Sequence, residues 1–246
     1  MMAAEALSGG VWHVELRRPE KRNALGVEAY MLLADMLRQI GSMPDARAVV
    51  LSGQGEAFCA GNDLAEFATY WPQPPGGPVV RFLEALHEMP LPVIAAVQGA
   101  AVGIGGTMLL HCDLVVAAPS AFLQFPFVDR GITAEGAASL LLPLRLGHAR
   151  AMDLLLTGRR VHADEAVLLG LVTRISRDRP PLAEALDLAR AIAAKPRDAV
   201  LATKRLARQR ATEGVVPRFE QEIKAINELL AARRPPAMPE TAAGTA

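Results

Sequence analysis

The pattern of apolar and polar positions along the chain predicts a layered α/β protein. Val11–Leu16 alternates as a half-buried strand, Val27–Ile40 carries apolar residues at helical spacing, and Arg47–Ser52 (RAVVLS) reads as a second strand. Pro92–Val97 (PVIAAV) and Leu114–Ala118 are short and apolar throughout, the pattern of strands buried on both faces of a parallel sheet. The segment AGNDL at 60–64 leads into a short helix, helices are predicted over Val79–Glu88 and Gly103–His111, and Gly136–Leu156 reads as two helices broken near Gly147. From Leu182 onward strand signals stop, and helices are predicted at 182–194, 197–209 and 217–232, with Pro196 and Pro217 in first turns. In the last of these, Phe219, Ile223, Ile226 and Leu230 form an apolar stripe that needs a partner, either the chain's own core or a neighbouring subunit. Trp71–Pro78 (WPQPPGGP), with four prolines and two glycines in eight residues, is expected to be an exposed or mobile loop. The division that follows is an α/β core over 1–180, a helical region over 181–234 and a disordered tail over 235–246.

One stretch needs a decision before the fold class is safe. From Met89 to Val128 the only formal charge is Asp113, which could pass for a membrane span. Its interior says otherwise: Pro90 and Pro92 open it, Gln98 sits in the middle, and Gly99, Gly103, Gly105 and Gly106 follow, so a buried strand and a tight strand-to-helix turn are expected. The 246 residues carry 26 Lys+Arg against 26 Asp+Glu, a balance that gives no electrostatic footprint for nucleic acid or an anionic membrane. With 51% hydrophobic residues, general disorder is excluded. The opening MMAAEALSGG lacks the basic and apolar parts of a signal peptide, and Cys59 and Cys112 are the only cysteines, without metal spacing; a reduced, cytoplasmic setting is expected.

Three segments carry the candidate chemistry in a fixed order: FCAGNDLAEF at 58–67, VQGAAVGIGGTMLLHCDLVVAA at 97–118, and FPFVDRGITAEGAAS at 125–139. Together with LLLTGRRVHADEAVLLGLVTRI at 154–175, they resemble the crotonase superfamily, the enoyl-CoA hydratase/isomerase fold, from about Val11 to Leu230. The resemblance implies a spiral of repeated ββα units, an acyl-CoA thioester substrate with no separate cofactor, and a homotrimer or dimer of trimers with the C-terminal helices between subunits. It also implies an oxyanion hole made by the backbone N–H groups of Asn62 and Ile104, because the common step of the superfamily places negative charge on the thioester oxygen. Ala60, Gly61, Asp63, Leu64, Gly103, Gly105, Thr107 and Phe127 fall at substrate-binding positions by the same resemblance. Gly61 would let the backbone approach the ligand closely, and the Ile104 donor would lie at a helix N-terminus.

The acid–base group decides the reaction. Hydratases of the superfamily hold one water between two glutamates; the corresponding positions here are Thr107, which has no useful basicity, and the carboxylate-free FPF at 125–127. A carboxylate occurs later, as Glu135, and this placement resembles the peroxisomal-type Δ3,Δ2-enoyl-CoA isomerases, in which one glutamate takes a proton from C2 and returns it at C4. Asp129 is the rival base, and Glu135 as a first-turn helix acid is the structural alternative. An apolar setting made by Phe125, Phe127 or Leu140 would raise the pKa of Glu135. Two further readings stand beside the isomerase: a 2-enoyl-CoA hydratase, and a non-catalytic acyl-CoA-binding homologue.

The remaining polar residues have plainer expectations. Asp63 is expected to bond backbone in its loop and Asp113 to be a structural hydrogen-bonding group. His13, His87, His111, His148 and His162 are scattered without a partner signature, and Cys59 reads as a small buried side chain. The basic loop LRRPEKRNAL offers Arg17, Arg18, Lys21 and Arg22 for the coenzyme A phosphates, a solvated turn being the alternative. Ala65 and Glu66 stand where many relatives have a lysine.

Overall fold

In the computed structural model, residues 1–208 and 214–233 are described, so the expected disordered tail at 235–246 lies outside the described residues. The strands are β1 (Met2–Ala6), β2 (Val11–Leu16), β3 (Ala48–Gly53), β4 (Val93–Val97), β5 (Ala100–Val102), β6 (Leu114–Ala117), β7 (Phe122–Gln124), β8 (Arg160–His162) and β9 (Arg174–Ile175). They form a six-stranded sheet in the order β1-β2-β3-β4-β6-β9 and a three-stranded sheet in the order β5-β7-β8. In the large sheet only the β1–β2 pair is antiparallel; in the small one β7 runs antiparallel to β8. The helices are α1 (Val27–Ser42), α2 (Leu64–Tyr70), α3 (Pro78–His87), α4 (Ile104–Thr107), α5 (Ala138–Leu146), α6 (His148–Thr157), α7 (Ala163–Leu168), α8 (Pro181–Ala193), α9 (Arg197–Arg208) and α10 (Val215–Arg233).

The continuous apolar runs of β3 and β4 have a direct cause: both faces of the sheet are covered. Val49, Leu51, Val93, Ala95 and Val97 point into the main core with α1 and α3. Ala48, Val50, Ile94 and Ala96 point the other way, onto Ala185 and Ala189 of α8. The alternation that separates these two sets is the period-2 pleat of a strand. The charge-poor stretch Met89–Val128 is thus divided among β4, β5, α4, β6 and β7, and among the described residues no helix is long and apolar enough to cross a membrane.

Two expectations change, and a third, left open between two alternatives, is decided. The segment Trp71–Pro78 is not simply an exposed loop: Trp71 and Gln73 are buried, and Asn227 of α10 accepts from Gln73 N–H at 3.0 Å and donates to its carbonyl at 2.7 Å. Glu220 accepts from Gly76 N–H at 2.8 Å, so α10 supplies the partners that a proline-rich segment cannot supply itself. Secondly, the predicted helix at 103–111 is one turn of α-helix, α4, that tightens into a 3₁₀ turn over Met108–His111. Thirdly, the stripe on α10 packs on the chain's own core: Phe219, Ile223 and Ile226 are buried and Leu230 packs partly against them, so this face is not left for a neighbouring subunit. By contrast α9 buries none of its residues and docks by charge. Lys204 reaches Asp113 at 2.6 Å, Arg208 reaches the same carboxylate at 3.0 Å, and Asp113 also accepts from Val93 N–H at 2.8 Å. Asp113 is therefore the structural group expected.

Candidate active site

The site begins where β3 hands the chain to the loop at 59–63. Gly61 adopts φ +105, and a Cβ there would lie 3.0 Å from the Val102 carbonyl oxygen, so only glycine brings the two backbones this close. Leu25 N–H donates to Gly61 O at 2.8 Å and Asp63 N–H donates to Leu25 O at 2.8 Å, an isolated parallel bridge between Leu25 and Asn62. In that pairing the flanking residues make the bonds, and the N–H of Asn62 itself is directed away from Leu25. On the other side, Cys59 pairs with Ala101 of β5, and Gly103 turns the chain into α4. Ile104 is the first residue of α4, where a backbone N–H has no intrahelical acceptor. Among the described residues, neither the Asn62 nor the Ile104 N–H donates to a protein backbone group outside regular elements.

A cavity of about 700 Å³ opens above this junction. Ala60, Gly61, Asn62, Asp63, Leu64, Gly103 and Phe127 line it, with Lys21 and Asp129 from the loops and Leu230 from α10. Gly105 and Thr107 do not line it: a Cβ at Gly105 would lie 2.3 Å from the Cys59 carbonyl oxygen, and Thr107 is fully buried beneath the first turn of α4. Ile104 is likewise fully buried and is not among the residues lining the cavity.

Glu135 is 1% exposed and sits behind Asn62. The Asn62 amide donates from Nδ2 to Glu135 Oε1 at 3.0 Å, and the Tyr30 hydroxyl of α1 donates to Asn62 Oδ1 at 2.5 Å. The second carboxyl oxygen, Oε2, is buried with no hydrogen-bond partner among the described residues. Burial pushes the Glu135 pKa up to about 8; the Asn62 hydrogen bond works against this, and the Glu222 carboxylate adds to it. Thr107 packs on the turn that follows, since a Cβ at Gly136 would lie 2.8 Å from Thr107 Oγ1. Cys59 is fully buried, and burial pushes its thiol up to about 12, so it is inert as a nucleophile.

The other candidates separate by what they touch. Asp63 caps α2 by accepting from Ala65 N–H at 3.2 Å and pairs with Arg18 at 3.0 Å. That pair also removes Arg18 from the cavity, because its guanidinium is turned inward to Asp63 and to the Ala24 carbonyl at 3.3 Å. Arg22 does not line the cavity; its carbonyl accepts from Ala60 N–H at 2.9 Å and holds the loop. Of the basic residues in this loop, Lys21 alone is on the lining. Glu66 caps α1, accepting from Val27 N–H at 2.9 Å. Asp129 is exposed and lines the same cavity as Asn62, while the hydrogen bond of Asn62 goes to Glu135.

The histidines are not all isolated. His87 and His111 meet at 3.2 Å between their Nδ1 atoms, and His111 Nε2 is 2.8 Å from the Gly136 carbonyl. A carbonyl only accepts, so Nε2 of His111 bears the hydrogen and its Nδ1 accepts from His87. Burial pushes His111 down to about 3 and His87 to about 4, with Arg208 further disfavouring the His87 cation, so both rings are neutral. Tyr30, Glu222 and this pair are missed when the sequence is read alone. Glu222 did leave a signal: at helical spacing it falls on the stripe of Phe219, Ile223 and Ile226, a carboxylate on an apolar face.

A doubly covered α/β sheet carries a cavity lined by Asn62 and Gly103, with the buried Glu135 carboxyl bonded to Asn62 behind that lining. The chain belongs to the enoyl-CoA hydratase/isomerase family, whose model matches residues 6–234. It is 37% identical over 179 residues, 72% of each chain, to the "Probable enoyl-CoA hydratase echA6" of Mycobacterium bovis. It is 36% identical over 210 residues to the mitochondrial Delta(3,5)-Delta(2,4)-dienoyl-CoA isomerase of Homo sapiens, 79% of this chain and 64% of that one. Its fold superimposes on the crystal structure of an enoyl-CoA hydratase/isomerase from Pseudoalteromonas atlantica with a TM-score of 0.88, at 41% identity, covering 94% of this chain and 91% of the other. The fold is thus the crotonase fold.

Proposed function

We propose that the protein isomerises an enoyl-CoA thioester, moving a Δ3 double bond to Δ2, with Glu135 as the single acid–base group. The observation that carries this reading is the Glu135 carboxyl, buried, held by the Asn62 amide and left with one unpartnered oxygen. The thioester oxygen would lie against the N–H groups of Asn62 and Ile104. Glu135 in its carboxylate form takes the proton from C2; the C2–H electron pair delocalises toward the thioester oxygen, where the two N–H groups stabilise it. Returning the same proton at C4 places the double bond between C2 and C3. Nothing is oxidised, no water is consumed, and no cofactor is invoked beyond the coenzyme A of the substrate.

A water-adding mechanism finds less support, because Thr107 is buried and packed on Gly136 and the FPF segment has no carboxylate. The name of the Mycobacterium bovis relative favours the hydratase as second reading. A non-catalytic acyl-CoA-binding role would require Glu135 to turn away from the thioester, against its bond to Asn62. Product analysis separates them: a 3-enoyl thioester of coenzyme A should yield the conjugated 2-enoyl thioester, and a 3-hydroxyacyl product would overturn the isomerase. Lys21, on the cavity lining, is the residue of the basic loop placed to meet a coenzyme A phosphate, and Arg130 lines the same cavity. The assembly proposed with this activity is a homotrimer, alone or paired; exposed Leu144, Leu156, Leu168 and Leu206 offer apolar surface for it, and light scattering in solution measures it.

The Asn62 side chain makes a separate prediction. Asn62→Ala keeps the backbone donor but removes the hydrogen bond that lowers the Glu135 pKa. The acid limb of the pH–rate profile should move to higher pH, and the rate at neutral pH should fall by roughly 10- to 100-fold with KM little changed.

A further inference from the structure

Glu222, on α10, is 4% exposed, and its carboxylate is wholly engaged with the segment that follows Glu135. Its Oε2 accepts from Ala137 N–H at 2.6 Å, and its Oε1 accepts from Ser139 N–H at 3.0 Å and from the Ser139 hydroxyl at 2.5 Å. The segment needs such a partner. Ala137 is held at φ 54, a left-handed conformation that is strained for a residue with a Cβ. Ala137 is also the N-cap of α5 and brings no side-chain cap of its own; Ala138 and Leu140 N–H find backbone carbonyls, but the Ser139 N–H would otherwise be orphaned. A carboxylate at a helix N-terminus answers both needs, since the first-turn amides and the helix dipole favour negative charge. From the opposite side His111 donates to the Gly136 carbonyl at 2.8 Å, with His87 fixing its tautomer. The turn carrying Glu135 is therefore gripped at Gly136, Ala137 and Ser139 by side chains from two other parts of the fold.

We propose that Glu222 is a positioning residue for Glu135: by clamping Ala137 and Ser139 it fixes the strained turn that holds the Glu135 carboxyl against the Asn62 amide. Its catalytic consequence rests on the reading of Glu135 as the acid–base group; the clamp itself does not. Glu222 also acts through its charge, since a carboxylate nearby makes a second anion at Glu135 less favourable. The groups that face Glu135 are the Tyr30 hydroxyl from α1, the buried Cys59 thiol, the Asn62 amide and Glu222 from α10. Around Glu222 stand Ser139 and, one turn earlier on α10, Arg218. Behind Gly136 lie His111, His87 and Arg208. No cation sits among the groups named for Glu135, so removing the Glu222 charge leaves a single direction of change.

The test uses the full-length enzyme with Glu222→Gln and Glu222→Ala. The titration of the Glu135 carboxyl is followed without substrate by difference infrared spectroscopy, its band assigned by its loss in Glu135→Gln. Glu222→Gln keeps an acceptor but loses the charge, and the Glu135 titration should move to lower pH, with the acid limb of kcat moving the same way. Glu222→Ala loses the clamp, and kcat should fall by about 10²-fold with KM changed far less. A merely structural residue would lower the melting temperature and move neither the titration nor the division between kcat and KM. Folded variants with the wild-type Glu135 titration and wild-type kcat would overturn the proposal. If Glu222→Ala does not fold, the titration in Glu222→Gln decides alone. If that titration moves while Glu135→Gln keeps full isomerase activity, the clamp stands and the assignment of Glu135 as the base falls.

Discussion

Glu135→Gln is expected to slow double-bond migration by roughly 10²–10⁴-fold while acyl-CoA binding survives. Glutamine has nearly the shape of glutamate and can still accept from the Asn62 amide, so the Tyr30–Asn62–residue-135 chain can persist. The backbone donors at Asn62 and Ile104 are untouched. What is lost is the ability to take a proton from C2, so the deficit should appear in kcat and not in KM. The wild-type enzyme supplies the matching pH dependence. A base whose pKa is pushed up to about 8 is mostly protonated at neutral pH, so kcat/KM should rise as pH increases through about 8 and level off above it. A variant with full isomerase activity, or a wild-type rate that falls across that range, would remove Glu135 from the mechanism.

The same substitution should stabilise the protein at alkaline pH. In the unfolded chain Glu135 would titrate near 4.5; in the folded protein burial pushes it to about 8. Between these values the folded state keeps a proton that the unfolded state has released, so unfolding free energy declines as pH rises through the window. The contribution is fully present below the unfolded pKa and is lost as pH passes the folded one. Glutamine has no such proton to lose. Glu135→Gln should therefore match the wild type near pH 4 and exceed it above pH 8, by a difference on the order of 3–5 kcal/mol. Urea denaturation across that range measures it. Glu222, pushed up to about 7 mainly by burial, gives a slope of the same sign, but it is present in both proteins and largely cancels in the comparison. Equal stability of the two proteins at every pH would mean that Glu135 is not buried as an acid. Loss of activity together with gain of stability is the expected signature of a group kept in an unfavourable place for function.

Much of this site could be read along the chain, for physical reasons that also mark where reading stops. β3 and β4 were legible because strands covered on both faces lose their polar alternation, and AGNDL and VGIGG were legible because close backbone approach demands glycine. Glu135 was singled out by its placement, which resembles that of the Δ3,Δ2-enoyl-CoA isomerases, with Thr107 and FPF standing where the hydratases have carboxylates. The three-residue strands β5, β7 and β8 were not legible, since so short a strand carries no period. Nor were the partners of Glu135. Asn62 lies 73 positions away in sequence and Glu222 reaches its turn from 83 positions beyond Ser139, separations no local pattern records. Trp71–Pro78 was misread for the same reason: its proline content predicts solvent, while Asn227 and Glu220, distant in sequence, hold it against α10. The ion pair of Arg18 with Asp63 was not legible either, since it spans 45 positions.

One measurement bears most directly on the reaction assigned to this fold. The wild-type enzyme is given a 3-enoyl thioester of coenzyme A and, separately, the 2-enoyl thioester of the same chain length, and initial rates of isomerisation and hydration are compared from short to long acyl chains. With Glu135 as the single acid–base group and a threonine at position 107, isomerisation should exceed hydration at every chain length that binds. A hydration rate above the isomerisation rate at the preferred chain length would contradict the mechanism and return the protein to the hydratases.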